Sequence, residues 1–314
     1  MTYAIRIYDN GGPETLKWEA VEPGDPGQGE VLVRHKAVGL NFIDVYHRTG
    51  LYPLPSLPAV PGLEASGIVE QTGPEVGDVK PGDRVAYAGV PPGAYSQVRV
   101  IPAHRLIKLP ESISFETGAA MMLKGMTARY LIRGCYPVKA GDVILMHAVS
   151  GGVGSIVSQW ASHIGATVIG TVGSPEKAEK AKANGCQYPI LYEQEDFAAA
   201  VREITHDSGV DAVYDSVGQA TFMKSLDCLR PLGTMVTFGQ SSGAVPPFDA
   251  GLLAAKGSLF LTRPSLMTYT EKREDLVAHA EDLFDAVQSK AVKIEIGQTY
   301  PLSEAARAHR DLES

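Results

Sequence analysis

Short apolar runs alternate with glycine-rich turns and helical patterns in the second half of the chain. The apolar run at residues 143–146 is short enough to be a buried strand, and it leads into a glycine turn at 147–154. Ile156, Val157 and Trp160 then recur at helical spacing. The pattern predicts a strand, a turn and a helix, an order in which the helix N-terminus can bind a pyrophosphate.

The same alternation continues along the chain. Further strand candidates lie at residues 167–172, 211–215 and 234–238, and each leads into glycine or serine. A repeated strand–loop–helix rhythm is typical of the α/β class and of a doubly wound parallel sheet, the Rossmann fold. We therefore expect residues 123–264 to form a dinucleotide-binding domain.

Residues 1–122 have a different, β-rich pattern. The strand candidates are residues 31–38, 65–70, 84–87 and 95–100. Turns such as Lys80-Pro81-Gly82-Asp83 separate them. Short strands with frequent glycine and proline turns favour a compact β-barrel-like domain over strand–helix–strand units.

The tail of the chain, residues 265–314, combines helical and strand patterns. Apolar residues recur at helical spacing over 276–287, a strand candidate lies at 292–294, and residues 305–309 are again helical. We expect this tail to return to the first domain.

Composition narrows the class of protein. A chain of 314 residues with 44% hydrophobic and 20% charged residues is long enough for two well-buried domains. A net charge of −8 without a basic run argues against nucleic-acid binding. No run of about 18 apolar residues suggests a membrane span, and the N-terminus lacks the apolar core of a signal peptide. Three scattered cysteines suit the reducing cytoplasm, where we expect the protein.

The glycine turn departs from the usual G-x-G-x-x-G pattern. Gly151 and Gly154 fill the second and third glycine positions, whereas Val149 occupies the first. Two glycines three residues apart are also compatible with a tight turn that binds no ligand. The surrounding strands favour the dinucleotide-binding interpretation.

Several short motifs together resemble the medium-chain dehydrogenase/reductase superfamily and, within it, the zinc-free NADPH:quinone oxidoreductases of the zeta-crystallin type. They lie at residues 39–44, 61–67, 80–85, 93–96, 124–128, 148–154, 214–218 and 238–243. Each motif is weak alone, but their order and spacing are specific, and the resemblance covers nearly the whole chain. It implies a homodimer with a GroES-like β-barrel domain and a Rossmann domain, separated by a cleft.

The resemblance also indicates an enzyme that uses no metal. The zinc-dependent branch has a cysteine where this chain has Asn41 and a histidine where it has Leu63. Neither residue replaces a thiolate or imidazole ligand. Without a Lewis acid, the substrate must be easy to reduce, as a quinone is because its reduction makes the ring aromatic. We therefore expect no obligatory catalytic side chain for proton transfer.

The strand at 167–172 ends without the carboxylate that NAD-binding enzymes of this fold use to bind a ribose 2′-hydroxyl. Gly173, Ser174 and Lys177 follow it, and Tyr192 follows the next strand. A neutral donor and a cation suit the 2′-phosphate of NADPH. Lys177 as an ordinary solvated lysine and Tyr192 as a boundary aromatic are the simpler alternatives.

The resemblance places Asn41, Tyr46 and Tyr52, together with Arg263, around the nicotinamide and the substrate. Asp44 is expected to cap or brace its loop, and the tyrosines could instead pack a proline-rich loop. The full set of expected cofactor-binding residues is Asn41, Phe42, Asp44, Tyr46, Lys124, Thr127, Gly151, Gly152, Val153, Gly154, Gly173, Ser174, Lys177, Tyr192, Ser216, Phe238, Gly239, Ser241 and Arg263.

Three functions compete. An NADPH-dependent quinone oxidoreductase is the leading hypothesis, an NADPH-dependent reductase of the activated C=C bond of an enone is the second, and a non-catalytic NADPH-binding structural protein is the third. The strand candidate at residues 259–262 is the expected edge for homodimer formation.

Overall fold

A computed structural model describes all 314 residues, which form two compact units. The first unit comprises Met1–Leu123, Thr270–Phe284 and Ile294–Ser314, and the second comprises Lys124–Tyr269 and Asp285–Lys293. The expected domains assigned all of 265–314 to the first domain, whereas residues 265–269 and 285–293 group here with the second unit.

The first unit is built mainly from antiparallel strands. They are β1 (Thr2–Arg6), β2 (Lys17–Val21), β3 (Glu30–Val38), β4 (Glu64–Thr72), β5 (Arg84–Ala88), β6 (Val98–Pro102) and β7 (Ile107–Lys108). Strands β1 and β2 pair with each other, and the other five form a sheet in the order β6-β3-β4-β5-β7. Its core includes Val31, Val33, Val85 and Ile101, which are almost fully buried. The predicted barrel-like β domain is confirmed.

Two helices of the first unit matter for the site, α1 (Phe42–Thr49) and α10 (Ala305–Glu313). Helix α1 begins after Asn41 and ends at Gly50, whose φ of 81° is the left-handed conformation that glycine adopts without strain. Short 3₁₀ turns lie at Pro13–Thr15, Ala103–Arg105 and Leu302–Glu304.

The second unit contains six parallel strands. They are β8 (Val143–Met146), β9 (Thr167–Val172), β10 (Tyr188–Leu191), β11 (Val210–Asp215), β12 (Leu229–Thr237) and β13 (Phe260–Thr262). Their order is β10-β9-β8-β11-β12-β13. The chain moves outward from β8 to β10 and then returns to β11, so the direction of the connections reverses between β8 and β11. This is the doubly wound arrangement predicted from the sequence, and ligands bind such sheets at the carboxyl ends of the strands near that reversal.

The remaining helices are α2 (Phe115–Tyr130), α3 (Gly152–Ile164), α4 (Pro175–Ala183), α5 (Phe197–Ile204), α6 (Phe222–Cys228), α7 (Gly251–Ala255), α8 (Leu266–Tyr269) and α9 (Arg273–Gln288). A π-helical segment, Leu131–Cys135, continues α2. Helix α9 contains the predicted helix at 276–287. None of the helices combines the length and the apolar character that a membrane span requires.

One strand prediction was wrong in its starting residue, and another was wrong altogether. The strand predicted at 95–100 begins only at Val98, because the Tyr95 N–H donates to Pro61 O and the Ser96 N–H to Ala94 O, which forms a turn instead. Residues 292–294 form no strand. The Val292 N–H donates to a carbonyl at the end of α9, and the Lys293 N–H donates to the side chain of Gln159.

Candidate active site

The glycine turn follows β8 and leaves the start of α3 open. Gly151 is the N-cap residue of α3, and no side chain caps the first N–H groups of the helix there. Gly151 and Gly152 are both exposed. Because the N-terminus of a helix carries a partial positive charge and free N–H groups, this end of α3 can bind an anion.

The two glycines of the turn have different roles. A Cβ atom on Gly154 would lie 2.5 Å from Ala148 O and 2.7 Å from Val149 Cα, so the turn closes only with glycine at this position. A Cβ atom on Gly151 would meet only Ala148 O, at 3.1 Å, and would otherwise point into open space. Gly154 therefore serves the fold, whereas Gly151 keeps the outer surface of the turn clear.

The fold accommodates Val149 at the first glycine position through a change on the neighbouring strand. Val149 is fully buried, and a Cβ atom on Gly170 of β9 would overlap its side chain. The absence of a side chain at Gly170 thus makes room for the valine. The departure from the usual glycine pattern does not disturb the turn.

A lysine lies beside the open end of α3. A Cβ atom on Gly152 would be 2.7 Å from Lys124 Cδ, so the aliphatic stem of Lys124 passes over this glycine. Thr127 is three residues further along α2, on the same side of that helix, and is nearly buried. A cationic side chain therefore reinforces the positive end of α3.

The residues predicted to distinguish NADPH from NADH lie together at the end of β9. Ser174 is the N-cap of α4, and its hydroxyl oxygen accepts a hydrogen bond from Lys177 N at 3.2 Å. The Tyr192 hydroxyl oxygen would be 2.8 Å from a Cβ atom on Gly173. Lys177 and Tyr192 are exposed. A hydroxyl donor on each side and an exposed cation suit a phosphate group.

The loops after β11 and β12 pack closely against each other. The Phe238 N–H donates to Asp215 O at 2.8 Å, and the Ser241 N–H donates to Ser216 O at 3.2 Å. A Cβ atom on Gly239 would be 2.5 Å from Ser216 O. The structure thus brings Ser216, Phe238, Gly239 and Ser241 together at the carboxyl ends of two adjacent strands.

Arg263 follows β13 directly. Its Nη1 atom donates to Thr237 O, at the end of β12, at 2.9 Å. Outside α2, the predicted residues of the second unit therefore all follow the carboxyl ends of the six parallel strands, with Tyr192 after the edge strand β10.

His147 is a residue whose part in this arrangement sequence reasoning missed. It is fully buried beneath the glycine turn, with Nδ1 3.0 Å from Thr171 Oγ1 and Nε2 2.8 Å from Ser225 Oγ. Burial lowers the pKa of His147, so the ring is neutral at physiological pH. Its hydrogen bonds link β8, β9 and α6 under the turn, and its place at the end of β8 was the only signal in the sequence.

In the first unit, Asn41 and Asp44 form the start of α1. The Asn41 N–H donates to Asp44 Oδ2 at 2.9 Å, and a carboxylate in the first turn also suits the helix dipole. Asp44 is fully buried. The structure therefore gives Asp44 the bracing role that was expected of it, and its carboxylate has no exposed surface with which to contact a cofactor.

Glu64, a residue that the sequence analysis did not single out, holds the side chain of Asn41. Asn41 Nδ2 donates to Glu64 Oε2 at 2.7 Å, and the Leu123 N–H donates to Glu64 Oε1 at 2.8 Å. The carboxylate is fully buried. This bond uses one amide hydrogen of Asn41 and fixes the direction of the second.

Three aromatic side chains pack edge to face along α1 and the segment after it. The ring centroids of Phe42 and Tyr46 are 5.5 Å apart, and those of Tyr46 and Tyr52 are 5.1 Å apart. Phe42 is exposed, and the two tyrosines are half-buried. The cluster offers flat apolar faces together with phenol hydroxyls, which suit a planar ring that carries carbonyl groups.

At the position of the zinc-branch histidine, Leu63 is buried and supplies no lone pair. The structure contains no group of three or more His, Cys, Asp or Glu side chains that could hold a metal ion.

Comparison with known proteins identifies the family. A model of the alcohol dehydrogenase GroES-like domain matches residues 27–111, and one of zinc-binding dehydrogenases matches residues 152–282. A quinone oxidoreductase of Pseudomonas aeruginosa is 47% identical over 99% of this chain and 96% of its own length. A 2-haloacrylate reductase of a Burkholderia species is also 47% identical, over 99% of this chain and 95% of its own.

The fold agrees with these matches. The crystal structure of Escherichia coli quinone oxidoreductase in complex with NADPH superimposes with a TM-score of 0.97 at 47% identity, over 99% of this chain and 96% of that one. With this similarity over nearly the full length of both chains, the protein belongs to the quinone oxidoreductase family of the medium-chain dehydrogenase/reductase superfamily.

Proposed function

We propose that the protein is an NADPH-dependent quinone oxidoreductase, which transfers reducing equivalents from NADPH to a quinone. The observation that carries this proposal is the gathering of the predicted cofactor residues at the carboxyl ends of the parallel strands, around the open N-terminus of α3. The full-length similarity to quinone oxidoreductases, one of them crystallised with NADPH, supports the same activity.

The pyrophosphate of the cofactor fits the turn after β8. The backbone N–H groups of Gly152 and Val153 would bind it, because the Gly151 N–H already donates to Ala148 O within the turn. Gly154 keeps the turn closed, and Lys124 adds a positive charge. At the end of β9, the 2′-phosphate would meet Ser174, Lys177 and Tyr192 above Gly173. NADPH, when bound, supplies the hydride for the reaction.

The other cofactor contacts are assigned by family resemblance and remain our proposal. They are Asn41, Phe42, Asp44, Tyr46, Thr127, Ser216, Phe238, Gly239, Ser241 and Arg263. For Asp44 we propose an indirect contribution, because its buried carboxylate braces the start of α1.

The quinone would be bound by Asn41, Tyr46, Tyr52 and Arg263. Asn41 would donate its second amide hydrogen to a quinone oxygen, and the tyrosine rings would pack against the quinone plane.

We further propose that the reaction is independent of zinc, because Leu63 and Asn41 replace the ligands of the zinc branch. Stoichiometric zinc in the active protein, with loss of activity on its removal, would contradict this.

The deciding experiment follows the absorbance of reduced nicotinamide in parallel reactions with an ortho-quinone, an enone or no acceptor. We expect rapid consumption of NADPH with the quinone and slow consumption without an acceptor. Equal rates in all three reactions would refute catalysis, and NADPH binding without turnover would favour the non-catalytic alternative.

Reduction of an activated C=C bond is a second candidate function. It is favoured by the 47% identity to a 2-haloacrylate reductase, which equals the identity to the Pseudomonas quinone oxidoreductase. Addition of 2-chloroacrylate to the same assay tests it. Turnover with 2-chloroacrylate that exceeds turnover with the quinone would reverse the order of the two proposals.

We also propose that the protein is a cytoplasmic homodimer associated through β13. This strand forms one edge of the six-stranded sheet, and Phe260 on it is 61% exposed. The opposite edge strand, β10, contains Pro189, which lacks the N–H needed for continuous pairing. Light scattering should give twice the 33.5 kDa chain mass, and a monomer at micromolar concentration would contradict it. Cell fractionation tests whether the protein is cytoplasmic.

A further inference from the structure

Five polar side chains of the first unit form a continuous chain of contacts from α1 to α10, here called the α1–α10 network, in which all members except the exposed Glu313 are buried. Asp44 Oδ2 is 3.0 Å from the Tyr95 hydroxyl oxygen, which is 3.0 Å from His309 Nε2. His309 Nδ1 is 3.1 Å from Arg48 Nη1. The Arg48 guanidinium also donates two hydrogen bonds to the Glu313 carboxylate, at 2.6 and 3.0 Å.

The chemistry of these groups fixes the direction of every hydrogen bond. A guanidinium only donates, so His309 Nδ1 must accept from Arg48, and the proton of the neutral ring lies on Nε2. His309 Nε2–H therefore donates to Tyr95, whose hydroxyl hydrogen remains for the Asp44 carboxylate. Burial and the charge of Arg48 lower the pKa of His309 to about 4, which keeps the ring neutral.

Stability alone does not explain this network. Arg48 and Asp44 are charged residues with 1% and 0% exposure, and burying charges has a desolvation penalty that well-packed apolar residues avoid. Both project from the same side of α1, because they are four residues apart. Phe42 and Tyr46, also four residues apart, lie on another side of the helix and form the aromatic cluster.

We propose that Tyr95 and His309 are positioning residues for the reaction, which hold α1 through Asp44 and thereby set the orientation of Asn41 and Tyr46 toward the quinone. This inference rests on the proposed function. Asp44 Oδ2 accepts from both Tyr95 and the backbone N–H of Asn41. Loss of the tyrosine hydroxyl leaves the carboxylate with fewer donors, so it turns away from Asn41 and loosens the start of α1.

The first unit contains a matched control. Tyr87 is also a buried tyrosine, with 1% exposure against 3% for Tyr95. Its hydroxyl oxygen is 2.9 Å from His35 Nε2 and 3.3 Å from Arg99 Nη1. His35 in turn contacts Ser96 O at 2.6 Å, so this chain ends at a backbone carbonyl and not on α1. A Tyr87→Phe variant thus removes an equivalent hydroxyl from an equivalent environment.

The test compares the wild type with Tyr95→Phe and Tyr87→Phe. We expect Tyr95→Phe to lower kcat/KM for the quinone roughly tenfold or more, because small displacements of substrate-binding groups reduce rates strongly. NADPH affinity should fall by a smaller factor than kcat/KM, because the proposed phosphate-binding residues of the second unit are unchanged. Tyr87→Phe should change kcat/KM by no more than about twofold. His309→Gln, which keeps an amide donor for Tyr95, should retain more activity than His309→Leu.

Hydrogen exchange of residues 41–52 is the second measurement. Exchange should be faster in Tyr95→Phe than in the wild type and unchanged in Tyr87→Phe. Equal kinetic effects of the two tyrosine variants would overturn the inference, since they would indicate a general loss of stability. If the wild type reduces no quinone, the proposed function fails. The exchange data then decide the inference alone, and equal exchange in both variants overturns it.

Discussion

The two units hold their site residues in different ways. In the second unit, backbone geometry places them at the ends of parallel strands, and glycines such as Gly154 and Gly170 allow the close approaches. In the first unit, buried side chains hold them, with Glu64 bound to Asn41 and Tyr95 bound to Asp44. A backbone-held site tolerates side-chain changes outside its turns, whereas a site held by side chains depends on hydrogen bonds between distant residues.

The largest effects should come from the glycine turn. Gly154→Val should prevent stable folding of the second unit, because its Cβ would meet Ala148 O at 2.5 Å. Gly151→Val should leave the fold intact, since Gly151 has an extended backbone with φ of −76°. It should weaken NADPH binding about a hundredfold, because the valine side chain would occupy the open space needed by the pyrophosphate and prevent hydrogen bonds to that charged group, which are worth about 1.5–3 kcal/mol each.

Thermal unfolding and NADPH titration of both variants measure this difference. If Gly151→Val binds NADPH as the wild type does, the turn does not hold the pyrophosphate. If Gly154→Val folds normally, the backbone-held description of the second unit is wrong.

Lowering the pH should reduce the stability of the first unit, where buried side chains hold the candidate site residues. The pKa of His309 lies at about 4, below its ordinary value of 6.5. The unfolded chain therefore binds a proton in this pH range that the folded chain does not, and stability is retained above about pH 6.5 and lost as the pH falls toward 4. A shift of this size corresponds to about 3 kcal/mol. Arg48 and Tyr95 contact the ring, and the Glu313 carboxylate, which pairs with Arg48, raises the pKa of His309 in part.

The variant His309→Gln isolates this contribution. It should be less stable than the wild type at neutral pH, and the difference should shrink by about 2–3 kcal/mol as the pH is lowered to 4. Urea unfolding at several pH values measures it. His35→Gln should show a similar pH dependence, because the pKa of His35 is also lowered to about 4, by burial. A difference that stays constant with pH would show that His309 does not titrate as proposed.

The next effect concerns a single charge at the end of β9. Lys177→Ala should weaken NADPH binding by on the order of 10- to 150-fold and leave NADH binding unchanged, because NADH lacks the 2′-phosphate. Lys177 is exposed, so salt should reduce the difference. Titration of both proteins with both cofactors measures it. Equal losses for the two cofactors would leave Ser174 and Tyr192 as the phosphate-binding groups.

Ser174→Ala is a less specific probe of the same phosphate. Its hydroxyl also caps α4 through the Lys177 N–H, and loss of a cap alone costs about 1 kcal/mol of stability.

Local patterns predicted most of the second unit. Strands β9, β11 and β12 are apolar runs that lead into glycine or serine, and the parallel order brings their ends together without further information. The predicted strand at 292–294 is absent because its backbone N–H groups bond to the end of α9 and to a glutamine side chain, partners that no local pattern shows.

The supports of the first-unit site could not be predicted in this way. Arg48 and His309 are 261 residues apart in the chain, and Asn41 and Glu64 are 23 apart. Buried polar pairs carry no periodic signal, since each depends on which elements pack together. The bracing role of Asp44 was predictable because its partner N–H lies only three residues away.

Val149 and Gly170 divide a single space between two neighbouring strands. The isopropyl group in the turn after β8 fills the gap where β9 has only hydrogen. Neither position can change alone without penalty: a smaller residue at 149 leaves a void, and a larger one at 170 overlaps the valine. Exchanging both at once, with glycine at 149 and valine at 170, keeps the total side-chain volume constant. The glycine that the turn lacks at position 149 is therefore compensated by Gly170 on β9. A search for the glycine motif within the turn alone does not find this second position.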